Sequence, residues 1–487
     1  MLAGAHKSLL TIVVLAVCLP AIPAWALELW VGTARESITP PEPVALEGQR
    51  HTRIAREVES PVTANALALE SRAGDSSLDQ AIVVSCDLVC IAPGLQQMVR
   101  DQLAAQLPGF DPRKFLLTAT HTHTAPVTLH NPYVIPAEGV MQPDAYVAWL
   151  VPRLAGAAKA SWENRQRSGV SWGLGHASVA HNRRAVYANG TATMYGATNT
   201  PEFRGLEGYE DHGVDVLFFW TPGQRLTALA VNVACPAQEV EGRSAINADY
   251  WHEVRTRVQQ RFQSELPLLG WIGASGDQSP HLLYYQRAEE RMRTLRGIAP
   301  LEEIARRLDR AVEEAHEGAA KDIRFDVPLK HVVKELQLVR RVVTESEYAA
   351  AKAYCDNVAG KERQGQPVDP GEHVQAKWYE DTLHRYAIQK DQPTYAVELH
   401  VIRLGDIAIC TNPFELFTDY GIQIKARSKA IQTFVVQLAS DTGIYLATDK
   451  ALRGGGYGAE IYSNIVSPEG GQQLVDQTVE TINSLWD

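Results

Sequence analysis

Six cysteines in 487 residues are too few to build a fold from disulfides. The chain also lacks a basic tract: 46 Lys and Arg stand against 57 Asp and Glu, a formal net charge of −11. Phosphate backbones are bound by clustered Lys and Arg, so nucleic acid is excluded as the main partner. Beyond the N-terminus, no apolar run approaches the ~20 residues a membrane span needs, and the mature chain is expected to be soluble, without a transmembrane segment. Repeats and low-complexity tracts are missing too. What is present is a 45% hydrophobic, 21% charged composition, typical of a globular protein with one or two full cores.

The first 26 residues read as a signal peptide. Lys7 precedes the apolar run Leu9 to Leu19, followed by Pro20, Pro23 and the small-residue site Ala24-Trp25-Ala26. That run is too short to anchor the chain in a bilayer. The mature protein, 27–487, is expected to start near Leu27 and to be exported, to a periplasm or to the medium. Cleavage removes Cys18 and leaves Cys86, Cys90, Cys235, Cys355 and Cys410. An odd number in an exported chain means at least one has no partner among the others.

Runs rich in β-branched residues predict strands at Ala81 to Cys86, Phe115 to Leu117, Val214 to Phe219 and Leu226 to Val233. Helical spacing appears at Pro93 to Leu107 and Tyr250 to Phe262. Strands alternating with helices give an α/β fold of layered mixed sheets. Residues 285–385 are charged and read as a helical insertion, including a capping box between Thr344 and Glu347 and a polar loop from Gly360 to Gly371. Strands resume at Tyr395 to Leu404 and Ile407 to Cys410, and a helix is expected from Glu415 to Lys429.

Several short motifs carry candidate chemistry. In His121-Thr122-His123, residues two apart on an extended chain face the same side, which suits a metal ligand beside a second ligand or proton donor. Ser279 lies in the turn Gly276-Asp277-Gln278-Ser279-Pro280, either an active-site hydroxyl or a plain turn. Glu415 follows Asn412-Pro413, where a carboxylate also suits a helix start. Tyr445 and Tyr457 flank Arg453-Gly454-Gly455-Gly456, which lacks the Lys-Ser/Thr of a phosphate loop. Gly169-Val170-Ser171-Trp172-Gly173 fits G-x-S-x-G, but its extended continuation argues against a nucleophile elbow.

Together these segments resemble the catalytic domain of the neutral/alkaline (non-lysosomal) ceramidase family. Val31-Gly32 and Ile38-Thr39-Pro40 resemble its first strand. Ala119 to Pro126 is similar to its A-T-H-T-H-S-G-P signature, Asn182-Arg183 to its N-R-S step, and Gly276 to Pro280 to its G-D-V-S-P turn. Asn412 to Glu415 resembles P-G-E-F, and Tyr445 and Tyr457 match its tyrosine pair. The resemblance runs in order over nearly the whole mature chain. It implies an amidohydrolase with bound Zn2+ that cleaves an N-acylated, sphingoid-type small-molecule or lipid amide, with transient contact at lipid surfaces. It further implies His121, Glu415 and Tyr445 as metal ligands, with His123, Arg183 and Tyr457 around the scissile carbonyl and Ser279 as the active-site serine. Water or Ser279 would be the nucleophile.

The chain departs from that family in two places. Where the family has a second ligand histidine in H-P-T-S, this chain has Val233-Ala234-Cys235-Pro236-Ala237-Gln238. A thiolate at Cys235 is a competent zinc ligand; a buried core thiol or half a disulfide are the plainer readings, with Gln238 or His123 as substitute ligands. The family's catalytic domain is usually followed by an immunoglobulin-like domain; with Asp487 soon after Tyr457, the chain is expected to be the catalytic domain alone. The departures leave two further readings: a hydrolase of a different amide or ester, and a non-catalytic binding protein that has lost the metal.

Overall fold

The computed structural model describes residues 27–129 and 132–487; the expected signal peptide lies outside the described residues. Three mixed sheets make the framework. The first has five strands and contains Phe115–Ala119, Ser76–Cys86, Thr63–Ala73, Leu27–Ser37 and Gln166–Arg167 in spatial order. The second has four: Leu268–Ile272, Leu226–Val233, Gly213–Trp220 and Gly169–His176. The third, also four-stranded, runs Leu329–Val339, Thr394–Leu404, Ile407–Thr411 and Gln432–Val436. The expected layered α/β class is what the structure shows.

Each sheet contains one parallel pair at its edge: Ser76–Cys86 with Phe115–Ala119, Leu226–Val233 with Leu268–Ile272, and Ile407–Thr411 with Gln432–Val436. One face of all three sheets contributes to a shared apolar core, where Leu67 and Val83 meet Phe219, Trp271, Ile409 and Phe434. The other faces carry helices: Leu95–Gln106 and Pro143–Glu163 on the first, Tyr250–Phe262 and Pro300–Ala319 on the second, Thr418–Arg427 and Pro468–Ser484 on the third. Strands buried on both faces read as continuous apolar runs, which is why Phe115 to Leu117, Leu226 to Val233 and Ile407 to Cys410 were visible in the sequence, whereas Gln432–Val436 was not predicted.

Residues 285–385 are not a wholly helical insertion. They contain the strand Leu329–Val339, paired along its whole length with Thr394–Leu404. Its exposed Lys330, Lys334, Glu335 and Gln337 hide its alternation behind helix-like charge. The helices Glu345–Arg363 and Pro370–Ile388 that follow form a hairpin, the first opened by the expected Thr344–Glu347 capping box. Gly169–Gly173 lies inside a strand, and Ser171 Oγ accepts a hydrogen bond from Trp220 Nε1 at 2.9 Å, so no nucleophile elbow forms. All five cysteines in the described residues are unpaired. No helix among the described residues is long and apolar enough to cross a membrane.

The first sheet is tied to the second layer by a buried ion pair. Asp87, at the end of Ser76–Cys86, receives Arg255 Nη1 and Nη2 at 2.7 and 2.9 Å and the Thr63 amide at 2.9 Å. Breaking such a pair from one side strands a charge in the interior. Arg255→Met is expected to cost about 3–5 kcal/mol in chemical denaturation. Asp87→Asn added to it should recover a large part, since the Asn carbonyl still accepts from Thr63.

Candidate active site

The loops that leave the carboxyl ends of the parallel strands converge on one place. Phe115–Ala119 leads into His121 and His123, Leu226–Val233 into Gln238, Leu268–Ile272 into Asp277 and Ser279. Ile407–Thr411 leads into Glu415, and Gln432–Val436 into Tyr445. Open α/β sheets bind ligands at this end.

His121 and His123 do face each other, with ring centroids 4.6 Å apart and Nε2 atoms 3.2 Å apart. The route differs from the extended chain expected. His121 has φ +61°, a left-handed conformation that costs a non-glycine residue on the order of 1–3 kcal/mol. Hydrogen bonds hold it there: Thr120 and Thr122 amides donate to Cys86 and Leu88 carbonyls, each at 3.0 Å. His121 Nδ1 lies 2.8 Å from the Val89 carbonyl, so that nitrogen carries the proton and Nε2 faces the site. Glycine is required at position 48, where φ is +101° and a Cβ would lie 2.5 Å from His123 Cγ.

Glu415 does not open a helix. It lies in the two-residue strand Glu415–Leu416, parallel to Tyr445–Leu446, and the helix starts only at Thr418. Its Oε2 is 3.3 Å from His121 Nε2. Burial alone would raise the carboxyl, but His121 holds it below the usual carboxylate range. The same pairing outweighs burial at His121 and raises its imidazole. Burial and the neighbouring Glu415 carboxylate raise the Tyr445 phenol, whose ring centroid is 5.6 Å from that of Tyr457.

Arg183 is the buried hub. Its Nη1 donates to the Tyr195 hydroxyl at 3.1 Å and to Gln238 Oε1 at 3.2 Å, and its Nη2 to the Gly276 carbonyl at 3.0 Å and the Tyr445 hydroxyl at 3.2 Å. Its Nε has no hydrogen-bond partner. Gly276 is needed because a Cβ there would sit 2.3 Å from the Glu415 carbonyl oxygen.

The sequence-predicted residues separate into those that meet and those that do not. His121, His123, Glu415, Tyr445 and Tyr457 line one cavity of about 580 Å³, walled by Val127, Leu129, Leu438, Ile444 and Ile465. Ser279 is fully buried outside that lining; its Oγ accepts from the Tyr195 hydroxyl and the His281 amide, both at 3.0 Å. Cys235 is not brought to this group. Its thiol points at the Val179 carbonyl, 3.3 Å away, within the apolar layer beside Tyr250, and burial raises it well above the ordinary thiol range. Three residues on, Gln238 reaches His123 instead, its Nε2 at 2.9 Å from the imidazole Nε2.

Glu241 was not singled out by sequence, yet its Oε2 lies 3.3 Å from His123 Nδ1. Burial pulls the His123 imidazole down to about 4 despite this carboxylate. Glu47, whose carboxyl burial lifts to about 7, and Trp378 of the helical hairpin also line the cavity. No local motif marks any of the three. The alternation of Glu239 and Glu241 after the Cys235-Pro236 step is the sole signal for Glu241.

The His121–Glu415 pair gives a pH signature. His121, raised from 6.5, adds stability below that value and loses it as pH rises through its raised pKa. Glu415, lowered from 4.5, adds stability above that value and loses it as pH falls through its lowered pKa. In chelator-treated protein, the loss of stability in Glu415→Gln should therefore be largest between about pH 4.5 and 6.5 and shrink toward pH 9. Urea titrations across that range measure it.

No known protein-family model matches the chain. No curated protein matches it either. Among solved structures, neutral ceramidase from Pseudomonas aeruginosa is similar with a TM-score of 0.68 at 16% identity, over 94% of this chain and 74% of that one. A ceramidase complexed with C2 gives a TM-score of 0.66 at 15% identity, over 94% and 75% of the two chains. At such identities the likeness is one of fold: this chain has the mixed α/β architecture of the neutral ceramidases.

Proposed function

We propose that the chain is an exported hydrolase of ceramidase type that cleaves the amide of an N-acylated lipid or small molecule with the help of a zinc ion. The observation that carries this reading is the placement of His121, Glu415 and Tyr445, backed by Arg183, at one end of an apolar-walled cavity. A fold alone would not support it, since one fold hosts many chemistries.

The donors fit a cation. His121 presents an unprotonated Nε2 once its Nδ1–H is spent on Val89, the usual arrangement behind a ligating histidine. The 3.3 Å from that nitrogen to Glu415 Oε2 places the two donors close enough that one ion would be held by both. Among the described residues no group of three or more His, Cys, Asp and Glu side chains could hold a metal. The Tyr445 phenol, which accepts from Arg183, would be the further ligand beside His121 and Glu415. Bound there, zinc would supply Lewis-acid polarisation of the carbonyl and acidify water.

The chain's own groups do the rest. The apolar walls take up an acyl chain and exclude water. The Tyr457 hydroxyl donates toward the oxygen that gains charge as the carbonyl is attacked, and the Arg183 charge behind Tyr445 supports it. His123, kept neutral by burial and oriented by Glu241 at Nδ1, takes the proton of the attacking water on Nε2 once that water displaces the Gln238 amide bonded there, and returns it to the leaving amine. Ser279, enclosed behind Tyr195, holds that tyrosine against Arg183, so water is favoured as nucleophile.

Purified protein should contain about one zinc per chain by elemental mass spectrometry and hydrolyse members of an N-acyl amide panel. Glu415→Gln and His121→Ala should lose both zinc and activity. Cys235→Ser should keep its zinc, which separates a packing thiol from a ligand. Arg183→Met should lower kcat by at most about 10²–10³-fold, the scale for loss of an oxyanion donor. A chain that carries no zinc and cleaves no amide of the panel ends this reading.

A further inference from the structure

The loop that presses Gly48 against His123 also carries Arg50 to the rim of the cavity. The Arg50 guanidinium lies over two aromatic faces, 4.6 Å from the Tyr457 ring centroid and 5.1 Å from that of Trp378. Its one polar contact among the described residues is the Tyr462 hydroxyl, at 3.5 Å. No carboxylate among the described residues lies within ion-pair distance of it. Of the rim's other charges, Lys377 is bonded to Glu380 at 3.0 Å, and burial raises the Asp381 carboxyl. A stacked, exposed guanidinium whose fork meets no carboxylate is a preorganised site for a carboxylate or phosphate oxygen pair.

Position makes this informative. Tyr457 separates Arg50 from Tyr445, whose ring centroid is 5.6 Å from that of Tyr457 and whose hydroxyl touches Arg183. An anion at Arg50 thus lies one tyrosine away from the groups assigned to the scissile bond. The apolar walls claim the acyl chain, so the anion belongs to the amine part of the substrate. Resting on the amide-hydrolase reading, we infer that Arg50 selects substrates whose amine portion bears an anionic group, carboxylate or phosphate, close to the amide.

Matched substrates test it: N-dodecanoyl-alanine against N-dodecanoyl-alaninol, and N-dodecanoyl-ethanolamine phosphate against N-dodecanoyl-ethanolamine. The wild type should favour the anionic member of at least one pair by about 10- to 100-fold in kcat/KM, the scale of one charge-assisted contact. The favoured pair identifies the anion. In Arg50→Met that ratio should collapse toward one, and Arg50→Lys, with charge but no fork, should fall between. A wild type without preference, or a ratio that survives in Arg50→Met, overturns the inference. Binding of dodecylsulfonyl-alanine and dodecylsulfonyl-alaninol, which are not cleaved, separates the two readings. If no amide is hydrolysed but the sulfonamide acid binds more tightly and Arg50→Met abolishes the difference, the anion site stands and the hydrolase reading fails. Equal binding of the two sulfonamides to the wild type removes the anion site whatever the activity.

Discussion

Three sheets share one apolar core, and that constraint fixes nearly everything else. Each sheet contributes its parallel pair to the common interior, so the carboxyl ends of the pairs emerge at the same end of the molecule. The alignment is held by hydrogen bonds between the sheets. Ser85 Oγ donates to the Gly270 carbonyl at 2.6 Å, Asn232 Nδ2 to Val435 at 3.0 Å, and the Gln437 amide to Ile272 at 2.9 Å. A polar side chain in such an interior costs free energy unless it is satisfied. These residues therefore specify how the sheets register on one another as well as closing the core.

The site inherits its geometry from that register. Residues far apart in sequence, such as His121, Arg183, Glu415 and Tyr445, meet because each leaves a strand end, not because a local motif gathers them. Arg183 makes the meeting place electrostatically coherent. A buried guanidinium needs many acceptors, and it finds them on four segments, so the arrangement of Tyr195, Gln238, Gly276 and Tyr445 around it is cooperative.

Much of this was legible in the sequence, for identifiable reasons. A strand buried on both faces, Leu226–Val233, appears as an unbroken apolar run with the boundaries read from it. The helix Tyr250–Phe262 also falls where its periodicity placed it. The strand Leu329–Val339 escaped because one face is solvated and charged, and the short strand at Glu415 because two residues carry no period. At the site, the paired histidines were visible as a motif. Glu241, Glu47 and Arg50 were not, because their roles depend on which loops the sheet register brings together. The thiol of Cys235 illustrates the same limit: its position in the chain suggested a ligand, but the turn at Pro236 sends Gln238 to the histidines and leaves the sulfur in the apolar layer.

The helical hairpin 345–388 stands apart from the strand ends that carry His121, Glu415 and Tyr445, yet its Trp378 forms part of the cavity rim. It is fastened from below by Arg385, which donates to the Asn464 carbonyl at 2.7 Å and also to that of Ile461. The mouth of the cavity and the residues at the strand ends are thus supplied by separable stretches of chain. A substitution in the exposed hairpin can reshape that mouth while the strand termini stay untouched.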